Sequence, residues 1–540
     1  MGTSHGGGLT LRRATTALLG LLWCTMFLPT SARAQEVSGP ILPRGVIRLD
    51  VRPSFTSWDS RFGERTVDGL LIEEEEPLGF DFSDNAAGTR LFPGFQNLQD
   101  ALDSAIPGGS SPIRFGRTNV LLSQSEVRVP FRIDIGVTNW LSVGAMAPLT
   151  KRRSEVAVSV TADSANVGLS PLGSAGGFLN GLNGAVAALA QVTDGICQTQ
   201  GAGSAACLEA QALLSDGSSF QGAITAAFNR NNVAFPLEGS ALGVALSERV
   251  ATLGQAFADL GVGGFPTTIP LAASPLTTSD FQELITEDEF GVVGDPLELF
   301  QSNWELGDVE VFGHARLLEG GTSARPGAGI HYEVGAGALF RLGTGTPDLD
   351  RNFIDLGSGQ GHTDLELQGF AGASFGRRLG LWLDVRYGIQ GTTELFRRAE
   401  SPDRGFPALT TRTPVRWTPG NYFEGRLTPR FRLTDVVSIA VDLRHFSKAG
   451  DTFERLTLPD SVPVLPGGDP TLLELETEQT AQEFGVGFVY STLAARRAGK
   501  TDSAVELSLL FQSARSGSVG RTPKTSLVQV GFRLFRTFWN

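Results

Sequence analysis

The chain has 540 residues, with 57 acidic and 44 basic side chains and a formal net charge of −13. This acidic balance argues against a nucleic-acid partner, because nucleic-acid-binding surfaces are basic. Glycine is frequent, with 67 residues, and phenylalanine (35) far outnumbers tyrosine (4). No run reaches the ~18–20 apolar residues that a membrane-spanning helix needs, which argues against a helical membrane protein.

The N-terminus has the pattern of a secretory signal peptide. Arg12 and Arg13 precede an apolar run over 17–28, which is too short to span a bilayer, and Ala32-Arg33-Ala34 has the small-x-small pattern of a cleavage site. The prediction is a signal peptide over 1–34, cleaved near Ala34, and export into a Gram-negative-type envelope. A retained membrane anchor is the alternative.

The C-terminal stretch 526–540 alternates with a period of two, which is strand geometry. One face is apolar and the other polar, with Phe535 and Trp539 as exceptions. The apolar face consists of Val528, Val530, Phe532, Leu534 and Phe538, and the polar face of Gln529, Gly531, Arg533 and Thr537. Ending on an aromatic cluster is typical of the closing strand of an outer-membrane β-barrel, although Asn540 follows Trp539 here.

Eleven further segments carry the same alternation and predict an all-β transmembrane barrel of about 12 antiparallel strands. They are 44–57, 119–137, 140–149, 307–318, 329–342, 362–375, 379–390, 422–433, 436–446, 483–493 and 504–514. Connections after even-numbered strands are short and those after odd-numbered strands mostly longer, which is the asymmetry of periplasmic turns and extracellular loops. A soluble β-sandwich is the alternative, but its strands usually have ~5–6 residues.

Two long loops interrupt the strands. The first holds an acidic run, Glu73–Glu76, that either binds a cation or forms a solvated face, and an amphipathic stretch with Phe95, Leu98, Leu102 and Ile106. The second is an insertion over 154–305. The expected division is the signal peptide (1–34), the first three strands with the first loop (35–153), the insertion (154–305) and the remaining strands (306–540).

The insertion has helical periodicity, so a large, mainly helical extracellular subdomain is predicted. Leu182, Val186 and Leu189 recur at helical spacing, as do positions 246, 250, 253, 257 and 260. Cys197 and Cys207 are the cysteines of the mature chain and predict a disulfide that staples this segment. Whether the insertion enters the lumen is left open.

The polar parity of the strands is charged, often with arginine and carboxylate two residues apart. These side chains should face the lumen, because arginine on the lipid face costs ~2–4 kcal/mol at the bilayer midplane. The predicted lumen-lining network is Arg48, Asp50, Arg52, Arg128, Arg132, Asp134, Glu310, Arg316, Asp384, Arg386, Glu424, Arg426, Asp442, Arg444 and Arg533. Such a network either sorts solutes or satisfies a narrow interior, and the two roles are compatible.

Several segments together resemble a bacterial outer-membrane family associated with the degradation of aromatic compounds, the meta-pathway phenol degradation-like transporters. The similar segments are the strand–turn–strand 132–149, Gly307-Asp308-Val309 and 341–345. The resemblance covers the barrel strands and excludes the insertion. It implies a barrel that passes small solutes, apolar or aromatic ones among them, and it supplies no fixed substrate site.

The leading functional hypothesis is a channel for passive passage of small solutes through a narrow charged lumen. The runner-up is a closed-lumen barrel whose extracellular subdomain binds a partner or surface ligand, and a third is an outer-membrane lipid hydrolase. No nucleophile motif accompanies His314, His331, His362 or His445, so no enzyme, catalytic residue, metal or cofactor is predicted. Expected partners are outer-membrane lipid, the barrel-assembly machinery and a small-molecule solute.

Overall fold

A computed structural model describes residues 39–67, 70–229, 233–322, 329–457, 467–497 and 503–539. The predicted signal peptide and its cleavage site lie outside the described residues. The strands are β1 Val46–Val51, β2 Ser54–Trp58, β3 Ser60–Val67, β4 Leu70–Pro77, β5 Arg117–Gly136, β6 Leu141–Thr161, β7 Val167–Leu169, β8 Ala234–Pro236, β9 Phe300–Gln301, β10 Glu305–Leu306, β11 Val309–Gly321, β12 Ile330–Leu342, β13 Asp364–Phe375, β14 Leu379–Ile389, β15 Thr393–Arg398, β16 Arg412–Thr418, β17 Tyr422–Arg432, β18 Val437–Lys448, β19 Thr452–Arg455, β20 Gln479–Ser491, β21 Ser503–Gly517 and β22 Ser526–Thr537.

The central sheet closes on itself as a 12-strand antiparallel barrel, which confirms the predicted fold class. β1 and β2 together form the first barrel strand, and both pair with β5 on one side and β22 on the other. The remaining barrel strands are paired in chain order: β6, β11, β12, β13, β14, β17, β18, β20, β21 and β22. Closure pairs every strand with two neighbours, which removes the exposed sheet edges that lipid does not tolerate.

The outer surface of the barrel is apolar. Large side chains such as Leu49, Phe131, Leu383 and Phe532 are exposed there, while their sequence neighbours point inward. Exposed aromatic residues gather near the short turns, among them Trp140, Phe375, Phe431, Tyr490, Phe538 and Trp539. An apolar band bordered by aromatic residues is the surface of an outer-membrane barrel, so the protein resides in the outer membrane in contact with its lipid.

The two ends of the barrel differ in their connections. At the end where the first strand begins and β22 finishes, short connections join β5 to β6, β11 to β12, β13 to β14, β17 to β18, and β20 to β21. At the other end, longer connections follow β2, β6, β12, β14 and β18. This agrees with the predicted asymmetry and makes the long-loop end extracellular.

The helices lie at the long-loop end. They are α1 Gln96–Ala105, α2 Leu172–Gln200, α3 Ala205–Ala227, α4 Ala241–Asp259 and α5 Thr278–Thr286, with a short α6 Leu493–Arg497 at the opposite end. α2 and α3 pack together, and α1 packs on α3. The predicted disulfide joins Cys197 to Cys207 across the turn between α2 and α3. Among the described residues, none of the helices combines the length and hydropathy that crossing a bilayer requires.

Helical periodicity placed the buried faces correctly. Leu182, Leu189, Leu246 and Val250 are all buried in one apolar cluster that also includes residues of the first loop. β6 runs to Thr161, past the expected start of the insertion at 154, and α5 begins after a capping box formed by Thr277 and Asp280. β5 and β6 therefore rise well beyond the other strands, and the helices pack against this raised hairpin through Val156, Val158 and Val160.

Phe406 joins four separate segments of the extracellular cap, which comprises the long connections and their helices. Its fully buried ring lies 5.3 Å from Phe82, 5.2 Å from Phe92, 5.4 Å from Phe281 and 5.5 Å from Phe353, measured between ring centroids. These partners come from the first loop, the helical stretch and the connection 343–363. Aromatic pairs at such distances add to the stabilisation from burial. This ring therefore strengthens the packing between loops that also contact one another directly, as Phe92 and Phe281 do at 5.6 Å.

Replacing Phe406 by alanine should loosen the cap while leaving the barrel intact. Removing a fully buried phenylalanine costs ~3–5 kcal/mol, and the loss falls on contacts between loops. We expect faster proteolysis and faster hydrogen exchange in residues 78–106 and 278–297 of F406A. F80A, which truncates an exposed phenylalanine of the same cap, should behave as the wild type. Equal protection in F406A and the wild type would contradict this role.

Candidate functional site

The lumen is the candidate site, and the strand registers direct the predicted charged residues into it. All members of the predicted network lie on the strand face opposite the exposed apolar side chains. The strand registers also determine which of these residues are neighbours across adjacent strands. Asp50 stands directly between Arg132 on β5 and Arg533 on β22. Directly opposite residues have neighbouring side chains, so the closure of the barrel itself creates this arginine–carboxylate–arginine arrangement.

One group of ion pairs lies near the periplasmic end. Arg48 Nε donates to Asp134 Oδ2 at 3.0 Å, and Arg132 Nη2 donates to Asp134 Oδ1 at 2.8 Å. The guanidinium of Arg132 also lies 4.0 Å from the centroid of the Phe312 ring. Asp134 is thus clamped between two arginines, one of which stacks on an aromatic face of the wall.

The same group continues along the closing seam. Arg533 Nε donates to Asp50 Oδ2 at 3.0 Å, and its Nη1 donates to Glu506 at 2.6 Å. Arg52 lies 3.0 Å from the other oxygen of Asp50. Asp50 and Glu506 are buried against the wall. Arg533 therefore ties the last strand to the first strand and to β21, at the point where the barrel closes.

A second group surrounds Arg341, which the sequence analysis did not include in the network. Its Nε donates to Glu310 at 3.1 Å and its Nη1 to Asp364 at 3.1 Å. Glu366 lies 3.8 Å away, and it accepts a hydrogen bond from the hydroxyl of Tyr422. Glu310 and Asp364 stand directly opposite Arg341 on the two neighbouring strands. The signal was present in the sequence, because Arg341 shares the inward parity of His331 and Glu333.

The third group lies on β17, β18 and β20. Arg444 donates to Glu424 and to Glu483, both at 2.8 Å, and Gln512 donates to Glu483 at 2.6 Å. Arg426, one step nearer the periplasm, donates to Asp442 at 3.0 Å. Glu483 was a missed member of the network, since its strand was expected to begin at that residue.

Other predicted residues have different partners. Arg316 pairs with Glu319 at 2.9 Å at the periplasmic rim. Arg386 lies 3.7 Å from Glu366, and Asp384 accepts a hydrogen bond from the indole of Trp382 at 2.6 Å. Arg128 faces the lumen without an ion-pair partner among the described residues. The predicted residues are therefore divided among separate groups along the wall.

An aromatic strip, Phe312, Phe370 and Trp382, crosses the inner wall from β11 to β14. The rings of Phe370 and Trp382 stack with centroids 5.7 Å apart and planes 14° apart. Each ring lies flat over a glycine of the adjacent strand. A Cβ at Gly335 would come within 2.1 Å of Phe370, and one at Gly372 within 2.5 Å of Trp382. Glycine at these positions lets the rings lie against the wall instead of crossing the lumen.

The extended segment 39–43 enters the lumen from the periplasmic end. Arg48 Nη1 donates to the carbonyl of Gly39 at 2.9 Å, and the backbone N–H of Leu42 donates to Ser142 Oγ at 2.8 Å. Gly39 sits against Glu333 and Trp382, which lie on either side of Gly372 on the inner wall. The segment therefore narrows the periplasmic opening, a feature with no periodic signal in the sequence.

Phe535 explains one exception to the closing-strand pattern. It faces inward and is buried with Leu42, Val46 and Ala504, and Leu493 packs against this cluster. Phe535, the apolar residue on the polar face of β22, thus packs against Leu42 of the inserted segment 39–43.

The extracellular mouth is shaped by the connection 343–363. The carbonyl of Ile354 accepts hydrogen bonds from Gln124 at 3.1 Å and from Ser154 Oγ at 2.6 Å on the raised hairpin. The next residue, Asp355, accepts from the backbone N–H of Leu349 at 3.1 Å. Burial raises the pKa of Asp355 to about 6, and the nearby carboxylate of Asp348 adds to this rise. The loop therefore holds a carboxyl group that takes up a proton at a higher pH than an ordinary aspartate.

The remaining candidates lie apart from these groups. In the β3–β4 hairpin, Glu76 pairs with Arg61 and Glu75 with Lys524, so the last two carboxylates of the acidic run are matched by basic side chains. His445 faces lipid beside the ring of Phe423, 6.5 Å away. Across the described ranges, no group of three or more His, Cys, Asp or Glu residues could hold a metal ion.

No protein-family model matches the chain, and no curated protein does. Among solved structures, an outer-membrane channel from Pseudomonas putida F1 is similar at 9% identity, over 93% of this chain and 99% of that chain, with a TM-score of 0.40. The Pseudomonas putida toluene transporter TodX (10% identity, 94% of each chain, TM-score 0.21) is another. A third is the Ralstonia pickettii toluene transporter TbuX (9%, 93% and 92%, TM-score 0.25). Likenesses this weak carry no argument about this chain.

Releasing the segment 39–43 should widen the periplasmic opening. We expect L42D to raise single-channel conductance in planar bilayers, because a carboxylate cannot stay in the apolar seat formed by Phe535 and Ala504. R44A changes the exposed residue that directly follows the segment and should leave conductance unchanged. A conductance for L42D equal to that of the wild type would show that the segment does not restrict the path.

The connection 343–363 should be more stable at mildly acidic pH. Because the folded-state pKa of Asp355 is raised from 3.8 to about 6, its stabilising contribution is complete below the unfolded value and is lost as the pH rises through 6. Hydrogen exchange of 344–362, corrected for intrinsic rates, should be slower at pH 5 than at pH 7.5. D355N should remove this difference, and a pH dependence that persists in D355N would assign the effect to another group.

Proposed function

We propose that the barrel provides a passive path across the outer membrane for small solutes, aromatic ones among them. The observation that carries the proposal is that inward-facing arginines keep accessible surface inside a closed barrel. Arg386 and Arg426, at mid-lumen, each keep about a third of their side-chain surface exposed. A lumen packed solid with side chains would leave these groups buried, so their exposure supports a continuous space along one side of the interior.

Barrel size supports a narrow path. Eight strands leave an interior filled by side chains, and 16 or more leave an open water channel. A 12-strand barrel lies between these limits, and the segment 39–43 occupies part of its periplasmic end. The predicted charged network would line this path. The proposal also treats residues 154–305 as a unit that covers the extracellular mouth.

The aromatic strip supports aromatic solutes as part of the cargo. Phe312, Phe370 and Trp382 lie on β11, β13 and β14, and β14 also carries the exposed Arg386. Arg132 already stacks on Phe312 at 4.0 Å. An arene that entered the lumen could use the same kinds of contact with rings and guanidinium planes. The sequence resemblance to proteins of aromatic-compound degradation agrees with this cargo.

The runner-up is a closed barrel whose extracellular cap binds a partner. The inserted segment 39–43 favours it, because Ile41 and Leu42 are buried there as a plug is. The two functions differ in one measurable respect, since only the channel conducts.

Conductance in planar bilayers tests the proposal. The purified protein should give discrete steps in KCl, and a variant with residues 170–286 replaced by a short glycine–serine linker should give steps at least as large. The deletion removes helices α2 to α5 and leaves the barrel strands intact. If neither form conducts while both remain folded barrels, the channel is refuted and the partner-binding function is favoured.

A further inference from the structure

We propose that the lumen is selective for anions and that its cargo is small carboxylates, aromatic carboxylates such as benzoate among them. This inference rests on the proposed function and specifies its solute. It rests on how deeply each charged group of an ion pair is buried in the barrel wall. The two members of each pair lie at different depths in the wall.

At mid-lumen, the arginine of a pair is exposed and the carboxylate is buried. Three pairs on separate parts of the wall show this, with exposed side-chain fractions of 31% and 1% for Arg52 and Asp50, 35% and 2% for Arg386 and Glu366, and 31% and 9% for Arg426 and Asp442. An ion dissolved in the lumen therefore meets guanidinium groups first. The formal charges balance, but the surface that a solute touches is positive.

Side-chain length explains the difference in depth. A carboxylate of aspartate stays close to its strand, where hydrogen bonds from neighbouring strands hold it. Asp442, for example, accepts from Arg426 at 3.0 Å and from Thr428 at 3.3 Å. The longer arginine side chain reaches past its partner and carries its remaining N–H donors into the lumen. Neutral pairing at the wall thus coexists with a cationic lining.

Charged lumen residues without an ion-pair partner do not change the positive character of the lining. Arg128 and Arg430 have no ion-pair partner among the described residues, and neither do Glu126 and Asp384. These four residues cancel one another. One oxygen of Asp384 is further occupied by the Trp382 indole. The depth of the paired groups therefore decides the field that a solute experiences.

Outside the membrane-spanning middle, the order of exposure is reversed in several of the described pairs. Glu319 is more exposed than Arg316 at the periplasmic rim, with 31% against 15%. At the extracellular end, Glu305 is more exposed than Arg152, with 38% against 5%. Anion selection is thus confined to the membrane-spanning middle, where the walls are closest and the field of fixed charges is least screened.

The chemistry of the lining favours carboxylates. A guanidinium presents a planar fork that donates two parallel hydrogen bonds to a carboxylate, and it can stack on an aryl plane. The lumen itself shows both contacts, since Arg132 binds the carboxylate of Asp134 and stacks on Phe312. Benzoate carries both groups recognised in this way on one small molecule.

Reversal potentials of the reconstituted full-length protein test the proposal. In a KCl gradient, we expect the sign of an anion-selective pore. With potassium chloride on one side and potassium benzoate on the other, we expect a benzoate current. Cation selectivity, or chloride selectivity without benzoate current, would overturn the inference while leaving the channel itself intact. An absence of any conductance would instead overturn the channel and this inference together.

Neutralising lumen arginines should change the selectivity in a predictable direction. For R386Q/R426Q, we expect the anion-to-cation permeability ratio to fall by about tenfold per charge, because a unit charge ~6 Å away in water favours the anion by ~3-fold and disfavours the cation by the same factor. R416Q removes an arginine from β16, outside the barrel wall, and should change nothing. R386K/R426K keeps both charges and should remain anion-selective, so it separates loss of charge from loss of folding. An unchanged ratio in a folded R386Q/R426Q barrel would refute the role of these guanidiniums.

Discussion

The pairing of the first strand with the last is the interaction on which the rest of the structure depends. In lipid, an unpaired strand edge would leave backbone N–H and C=O groups without partners, at several kcal/mol each. β1 and β2 meet β22 along their whole length, and this register fixes which side chains face lipid. Once the first and last strands are paired in this register, the alternation along each strand places the same kinds of residue toward lipid and toward the lumen all around the sheet.

The charged interior follows from that seam. Each strand presents its polar parity to the lumen, and several directly opposite positions on neighbouring strands carry opposite charges, as Arg48 and Asp134 or Arg444 and Glu483 do. A buried charge without a partner would be strongly destabilising. Pairing across strands therefore allows a narrow barrel to keep many ionised groups inside, and it also decides which of these groups a passing solute can touch.

Much of the fold could be predicted from local pattern, because a period of two is visible in the sequence wherever one face meets lipid. The strand number and the loop asymmetry were predicted in this way, and the disulfide was predicted from the two cysteines of the mature chain. The segment 39–43, the inward Phe535 and the small sheet β15–β16–β19 were missed, since their partners are distant in sequence. The same holds for Arg341 and Glu483. Alternation shows whether a residue faces the lumen or the lipid. Its partner on the next strand depends on how the strands are shifted relative to each other, which only the closed sheet determines.

The glycines beneath the aromatic strip have a consequence for how the passage evolves. Gly335 and Gly372 have no side chain, so the rings of Phe370 and Trp382 lie close to the wall in the space that a methyl group would need. The lumen is wider as a result. The bore is therefore adjustable in steps of one carbon atom at positions that touch no solute. Relatives of this protein could tune the size of their cargo on the wall behind the rings, without altering any residue of the charged lining.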